Sequence, residues 1–180
     1  MPPAPILALS GSLRVSSVNT AALRVAVAAG TARGIPIELS DAIRMLPHFD
    51  PDLEGDPPGA AARFDRACAE AAGLLISVPE YAHGIPGAFK NALDWTVGTG
   101  SLYAKPVAVL DVAHGSRGGY VREALDHVFA AMQSHVVRYS LPITAADRDP
   151  DGEIRSAAVG DALLGIVLDF ADRIRERAAV

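Results

Sequence analysis

Apolar and polar positions along this chain fall into runs of two kinds. Five runs are brief and nearly unbroken: "PILAL", "IPIEL", "GLLISV", "PVAVLDVA" and "HVVRYSL". Short apolar stretches bounded by turn residues predict strands, and a run as continuous as "GLLISV" suits a strand covered on both faces. Between them the apolar positions recur at helical spacing. Leu23, Val27 and Gly30 share a face in "NTAALRVAVAAGTARG", and further helices are expected around residues 59–72 and in "GAFKNALDWTV". From Gly119 another carries Val121, Leu125, Val128, Phe129 and Met132, and Val159, Leu163, Ile166, Val167, Phe170 and Ile174 mark a long C-terminal one. "PHFDPDLEGDPPG" reads as a surface loop.

Strand and helix alternate with no repeat, low-complexity tract or long linker. This predicts one α/β domain over residues 1–180, a three-layer sandwich with a five-stranded parallel sheet and helices on both faces. Ligands of such sheets bind outside the carboxyl ends of the strands, near the point where strand order reverses. That rule selects the loops after Leu9, Val78 and Val112.

Composition narrows the chemistry. A net charge of −5 with scattered Lys and Arg speaks against nucleic acid or an anionic membrane as the main partner. One cysteine builds neither a disulfide framework nor a thiolate metal site, and Cys68 shares a helical face with Phe64 and Ala71, so a buried, inert thiol is expected. The start, "MPPAPILALSGS", lacks the basic region and long apolar core of a signal peptide, and no apolar run reaches the roughly 20 residues that span a bilayer. A cytoplasmic protein is expected.

The loop after Leu9 collects Ser10, Ser12, Ser16, Ser17 and Asn19 as donors around Arg14, immediately before a helix. Hydroxyls, a planar guanidinium and the oriented N–H groups of a helix start make a site for a phosphate monoester. The competing reading is a serine-rich turn with Asn19 as helix N-cap and Arg14 in solvent. Neither the G-x-x-x-x-G-K-[ST] nor the G-x-G-x-x-G pattern is present. In the second loop, within residues 77–95, Pro79, Gly84, Pro86 and Gly87 fix an irregular backbone beside Tyr81, whose ring can flank a planar ligand. The third loop, "AHGSRGGY", is glycine-rich and opens a helix.

These motifs carry a resemblance. "GSLRVSSVN" resembles the G-S-x-R-x-x-S-x-N phosphate loop of the NADPH-dependent FMN reductase family, "PEYAHGIPGAFKNALDW" is similar to its P-E-Y-N-x-x-x-P-G-x-x-K-N-A-x-D-W motif, and "HGSRGG" falls where that family has a glycine-rich loop. The resemblance implies a flavodoxin-like fold with FMN as cofactor and NADPH or NADH as co-substrate. The implied cofactor-binding set is Ser10, Ser12, Arg14, Ser17, Val18 and Asn19 in the first loop. It continues with Pro79, Glu80, Tyr81, Ala82, His83 and Gly84 in the second, and His114 and Gly115 in the third. Ala82 stands where the family usually has asparagine, so a side-chain hydrogen bond is lost there. Ala113–His114 replaces a Ser-Pro-like pair.

The implied reaction is hydride transfer from NAD(P)H to the flavin and onward to a quinone, free flavin, azo compound or metal oxyanion. The chemistry resides in the cofactor, so no catalytic acid, base or metal ligand is expected of the protein. N–H groups of the second and third loops, and the helix starting near Gly118, are expected to stabilise the negative charge of the reduced ring. The alternatives are a flavodoxin-type electron carrier without nicotinamide turnover, and a protein that has kept the fold and lost the cofactor. Relatives of this kind assemble as homodimers or homotetramers, and the apolar segments Phe89–Val97 and Val121–Met132 offer surface for that.

Overall fold

The computed structural model describes residues 3–115 and 117–179. All five apolar runs form strands: β1 (Ile6–Ser10), β2 (Ile37–Ser40), β3 (Gly73–Ser77), β4 (Pro106–Asp111) and β5 (His135–Ser140). They pair in parallel in the order β2-β1-β3-β4-β5, so the order reverses at β1 and β3. Every residue of β1 and β3 is buried, whereas β5, at an edge, is only partly covered. Register sets the ligand end: Ser10 pairs with Ser77, and Asp111 with Ser140, so the carboxyl ends finish nearly level.

The helices are α1 (Val18–Thr31), α2 (Gly59–Glu70), α3 (Gly87–Asp94), α4 (Gly119–Ala131) and α5 (Ala157–Ala178). Leu23 and Ala26 of α1 share one core with Val167 and Phe170 of α5. Phe64 of α2, Phe89 and Leu93 of α3, and Leu125 and Phe129 of α4 share the other, across the sheet. Truncating a fully buried phenylalanine such as Phe89, Phe129 or Phe170 costs about 3–5 kcal/mol. The fold is flavodoxin-like.

One helical face differs from the expected one. In α1 the buried positions are Asn19, Ala21, Ala22, Leu23, Ala26 and Gly30, while Val27 is only half-buried. The reason is that α1 packs on α5 as well as on the sheet, and the contact demands small residues. A Cβ on Gly30 would lie 2.5 Å from Ile37 Cδ1 and 3.3 Å from Val167 Cγ1. Cys68 is buried as expected. Burial, with the nearby Asp65 carboxylate adding to it, pushes its thiol up to about 12, so it stays protonated and unreactive. Among the described residues no helix is long and apolar enough to cross a membrane.

Two motif residues turn out to brace a loop. Asn91 Nδ2 and Trp95 Nε1 both donate to the Pro47 carbonyl, at 2.9 and 3.0 Å, and Asn91 Oδ1 accepts from Phe49 N–H at 2.7 Å. The Phe49 ring stands edge-on to Trp95 at 5.1 Å. The long loop after β2 is thereby pinned to α3.

Candidate functional site

The loop after β1 folds upon itself. Ser10 Oγ lies 2.7 Å from Thr20 Oγ1 and accepts from Ser12 N–H at 3.2 Å, while Ser12 Oγ accepts from Arg14 N–H at 3.3 Å. Ser10, Ser12, Ser17 and Asn19 are all buried, so the turn is fixed before any ligand arrives. Ser17, not Asn19, is the N-cap of α1: its side chain accepts from Thr20 N–H at 3.5 Å. The N–H groups of Val18 and Asn19 then meet no partner among the described residues, and free N–H groups in the first turn of a helix favour an anion. The Arg14 guanidinium is exposed and donates through Nε to Ser16 Oγ at 3.1 Å.

Asn19 has a different task from the cap. Ser77 Oγ at the end of β3 lies 2.9 Å from both Asn19 Oδ1 and the Leu110 carbonyl, so its single proton is shared between two acceptors. This joins α1, β3 and β4 behind the site and leaves the Asn19 Nδ2 donors without a partner among the described residues. Gly11 completes the junction. A Cβ there would meet Val78 Cγ1 at 2.6 Å and Val78 Cα at 3.0 Å, so only glycine lets the first and second loops touch.

The second loop is a tight hairpin. Tyr81 and Gly84 exchange backbone hydrogen bonds of 3.1 and 3.0 Å around Ala82 and His83, whose φ values are 47° and 57°. Two successive residues at positive φ are the signature of a type I′ turn, where asparagine and glycine are at ease and alanine is strained. The asparagine usual in the related motif therefore suits the backbone as well as any hydrogen bond, and Ala82 forfeits both. Tyr81, Ala82 and His83 are exposed, and the His83 ring stacks on Tyr120 at 4.3 Å.

Glu80 corrects one expectation. Its Oε2 accepts from Tyr120 N–H at 3.0 Å and from Val121 N–H at 3.3 Å. The start of α4, expected to face a reduced flavin ring with free N–H groups, is already capped by this carboxylate, because its own N-cap, Gly118, has no side chain to do so. At the end of β4, Asp111 accepts from Arg122 Nη1 at 2.5 Å and from Ala113 N–H at 2.9 Å, which holds the third loop.

A cavity of about 460 Å³ opens over these strand ends. Of the expected residues it takes Val18, Asn19, Pro79, Glu80 and His114. Ser10, Ser12 and Arg14 line a neighbouring hollow of about 320 Å³ on the β2 side, together with Arg24 and Arg44. Gly115 borders a third hollow, and Tyr81, Ala82 and His83 form the exposed tip of the hairpin. A fourth loop escaped the sequence reading: Ile143, Thr144, Ala145 and Arg148, after β5, form one wall. Its composition, "LPITAADRDPDG", carries loop signals but no recognised motif.

The polar floor fits a flavin mononucleotide. Hydroxyls, an amide and two free helical N–H groups suit a phosphate, and the Gly11–Val78 contact brings the loop that would hold it against the loop that would flank the ring.

A model of the family described as NADPH-dependent FMN reductase matches residues 4–147. The chain is similar to an NADPH:quinone oxidoreductase of Arabidopsis thaliana, 34% identical over 137 residues that span 73% of this chain and 69% of the relative. It is also similar to an NAD(P)H-dependent FMN reductase of Pseudomonas aeruginosa, 38% identical over 117 residues, 63% of this chain and 62% of that one. Among solved structures, a flavoenzyme NAD(P)H:(acceptor) oxidoreductase of Paracoccus denitrificans superposes with a TM-score of 0.78 at 27% identity, over 97% of this chain and 98% of the other.

Proposed function

The chain belongs to the NADPH-dependent FMN reductase family, and from that premise we propose that it reduces a small planar acceptor, a quinone foremost, at the end of the sheet where the first three loops meet. The observation that carries this reading is the prebuilt loop of buried Ser10, Ser12, Ser17 and Asn19 at the open start of α1. When bound there, FMN supplies the hydride chemistry between NAD(P)H and the acceptor.

The chain's own residues bind and orient. Ser12, Ser17, Val18 and Asn19 would hold the phosphate with hydroxyl, amide and N–H donors, and Arg14 would supply a counter-ion. Pro79, Glu80, Tyr81 and the Ala82 N–H of the second loop would flank the ring, as would His114 and Gly115 of the third. Glu80 acts through α4: by capping it, the carboxylate fixes the distance between the second and third loops. A cytoplasmic, homo-oligomeric enzyme of one domain fits the composition; of the apolar segments expected to serve association, Phe89, Leu93, Trp95, Val121, Leu125 and Phe129 are core, which leaves Val97, with the nearby Tyr103, as exposed apolar surface.

Protein saturated with FMN should turn over NADPH or NADH when a benzoquinone is present and stop when the flavin is removed. Binding of FMN with no dinucleotide oxidation against quinone, free flavin, azo dye or chromate would replace this reading by an electron carrier. Failure to bind FMN at all would remove both.

A further inference from the structure

The crest of the first loop, Leu13–Ser16, projects between two buried ends. Leu13 is 40% exposed and Val15 86%, and between them Arg14 carries the cation that this loop brings to the phosphate site. The loop's own bonds at the crest are local. Arg14 N–H reaches Ser12 Oγ at 3.3 Å and Arg14 Nε reaches Ser16 Oγ at 3.1 Å, each only two residues away in the chain. Two further contacts come from elsewhere in the fold. At the Ser16 end the loop after β5 packs close, so that a Cβ on Gly152 would lie 3.3 Å from Ser16 Cβ. At the Leu13 end, Arg44 Nη2 donates to the Leu13 carbonyl at 2.5 Å. Among the described residues this is the only hydrogen bond that reaches Leu13–Ser16 from outside the loop.

Arg44 reaches the crest from a firm base. It lies on the short 3-10 helix Ala42–Met45 after β2, which is anchored at both ends. Ile43, its neighbour, is buried in one core with Phe89 and Leu93 of α3, and the Pro47 carbonyl, three residues on, is clamped by Asn91 and Trp95. Arg24 lines the same hollow but is paired with Glu153, whereas Arg44 is in no ion pair among the described residues. A guanidinium donating to a carbonyl makes a charge-assisted bond. Fixing the Leu13 carbonyl fixes the peptide from which Arg14 starts, so Arg14 has less freedom to lose when it meets an anion.

We propose that Arg44 is a positioning residue for the cofactor phosphate: by holding the Leu13 carbonyl it sets the crest so that Arg14 stands over the start of α1. This rests on the FMN site of the reading above, so one readout needs no flavin. Amide hydrogen exchange at Arg14 and Val15 of the flavin-free protein should quicken in Arg44→Ala, while α5 exchanges as in the parent. Arg44→Ala should weaken FMN binding about fivefold, the worth of one hydrogen bond, and leave riboflavin binding unchanged. Arg44→Lys should recover part of the loss. The double-mutant cycle decides how the arginine acts. If it works through Arg14, adding Arg44→Ala to Arg14→Ala should change FMN affinity less than about twofold. An equal loss in both backgrounds would mean that Arg44 meets the phosphate directly or by its charge, and would overturn the proposal. So would an equal loss of riboflavin, or no loss of FMN at all. If the parent binds no FMN, the reductase reading fails, and exchange alone judges Arg44: a quickened crest supports its positioning role and an unchanged one removes it.

Discussion

The first and second loops both follow a central buried strand and touch each other at Gly11 and Val78, yet they are stabilised in opposite ways. The first is buried at its two ends, Ser10–Ser12 and Ser17–Asn19, around an exposed crest of Leu13, Arg14 and Val15, with the hydroxyl of Ser10 bonded to the loop backbone and to Thr20 and with Asn19 tied to β3. The second ends in an exposed hairpin with two residues at positive φ, held to α4 by the Glu80 carboxylate's bonds to its first turn and by the His83–Tyr120 stack. A loop fixed by burial tolerates little change, because each substitution strands a polar group or forces backbone apart. A loop fixed by a strained turn and a side-chain clip can be tuned, even improved. The difference teaches that one half of this site is prebuilt and the other adjustable.

The sharpest way to break the comparison is Gly11→Val. Its Cβ would fall within 3.0 Å of the Val78 backbone and closer still to Cγ1, so the two loops must separate. Overpacking of this kind costs about 1–3 kcal/mol of stability. The FMN affinity should drop by more than the Arg14 change below, since both loops lose their places. Urea unfolding of the flavin-free variant and fluorescence titration with FMN measure the two effects; parental values in both would show that the loops need not touch.

Arg14→Ala should weaken FMN binding by about 1.5–3 kcal/mol, the worth of a charge-assisted hydrogen bond. Riboflavin, without the phosphate, should bind variant and parent alike. If FMN affinity is unchanged, the guanidinium remains with Ser16 Oγ and never meets the phosphate.

On the hairpin side, Glu80→Ala removes the cap of α4 and should lower stability by about 1 kcal/mol, within the usual range for a lost N-cap. Glu80→Gln, which keeps an acceptor oxygen, should recover part of it. Thermal unfolding of the flavin-free protein is the measurement, and identical midpoints for all three proteins would show that the carboxylate bears no load.

The smallest effect has the opposite sign. Ala82→Gly or Ala82→Asn should stabilise the protein by up to about 1 kcal/mol, because a left-handed conformation costs alanine roughly that much. A loss of stability in both variants would mean that the turn is not strained.

Much of this was legible in the residues. Strand runs and helical spacings placed every strand and the five α-helices, because apolar periodicity records which side of an element meets the core. The phosphate loop was legible because its chemistry is local: hydroxyls, an arginine and a helix start lie within ten residues, Ser10–Asn19. Its cap was not legible, since Ser17 and Asn19 are both good N-caps and only packing shows that Asn19 faces Ser77. The fall of Val27 out of the buried face followed from α5, whose approach to Gly30 lies over a hundred residues away in sequence.

The sequence by itself determined the sheet, the two helical layers and the loop that can seat a phosphate, because each depends on contacts within one element or on the rule linking strands to crossover helices. Only the tertiary structure decided what fills the start of α4, why position 82 favours asparagine in related chains, and that Arg148 closes the far wall. Those outcomes arise where segments distant in the chain meet: Glu80 with Tyr120, Gly11 with Val78, and the loop after β5 with the loop after β4. Periodicity is silent about such meetings, since an arginine in a polar loop reads the same whether it faces solvent or a cavity.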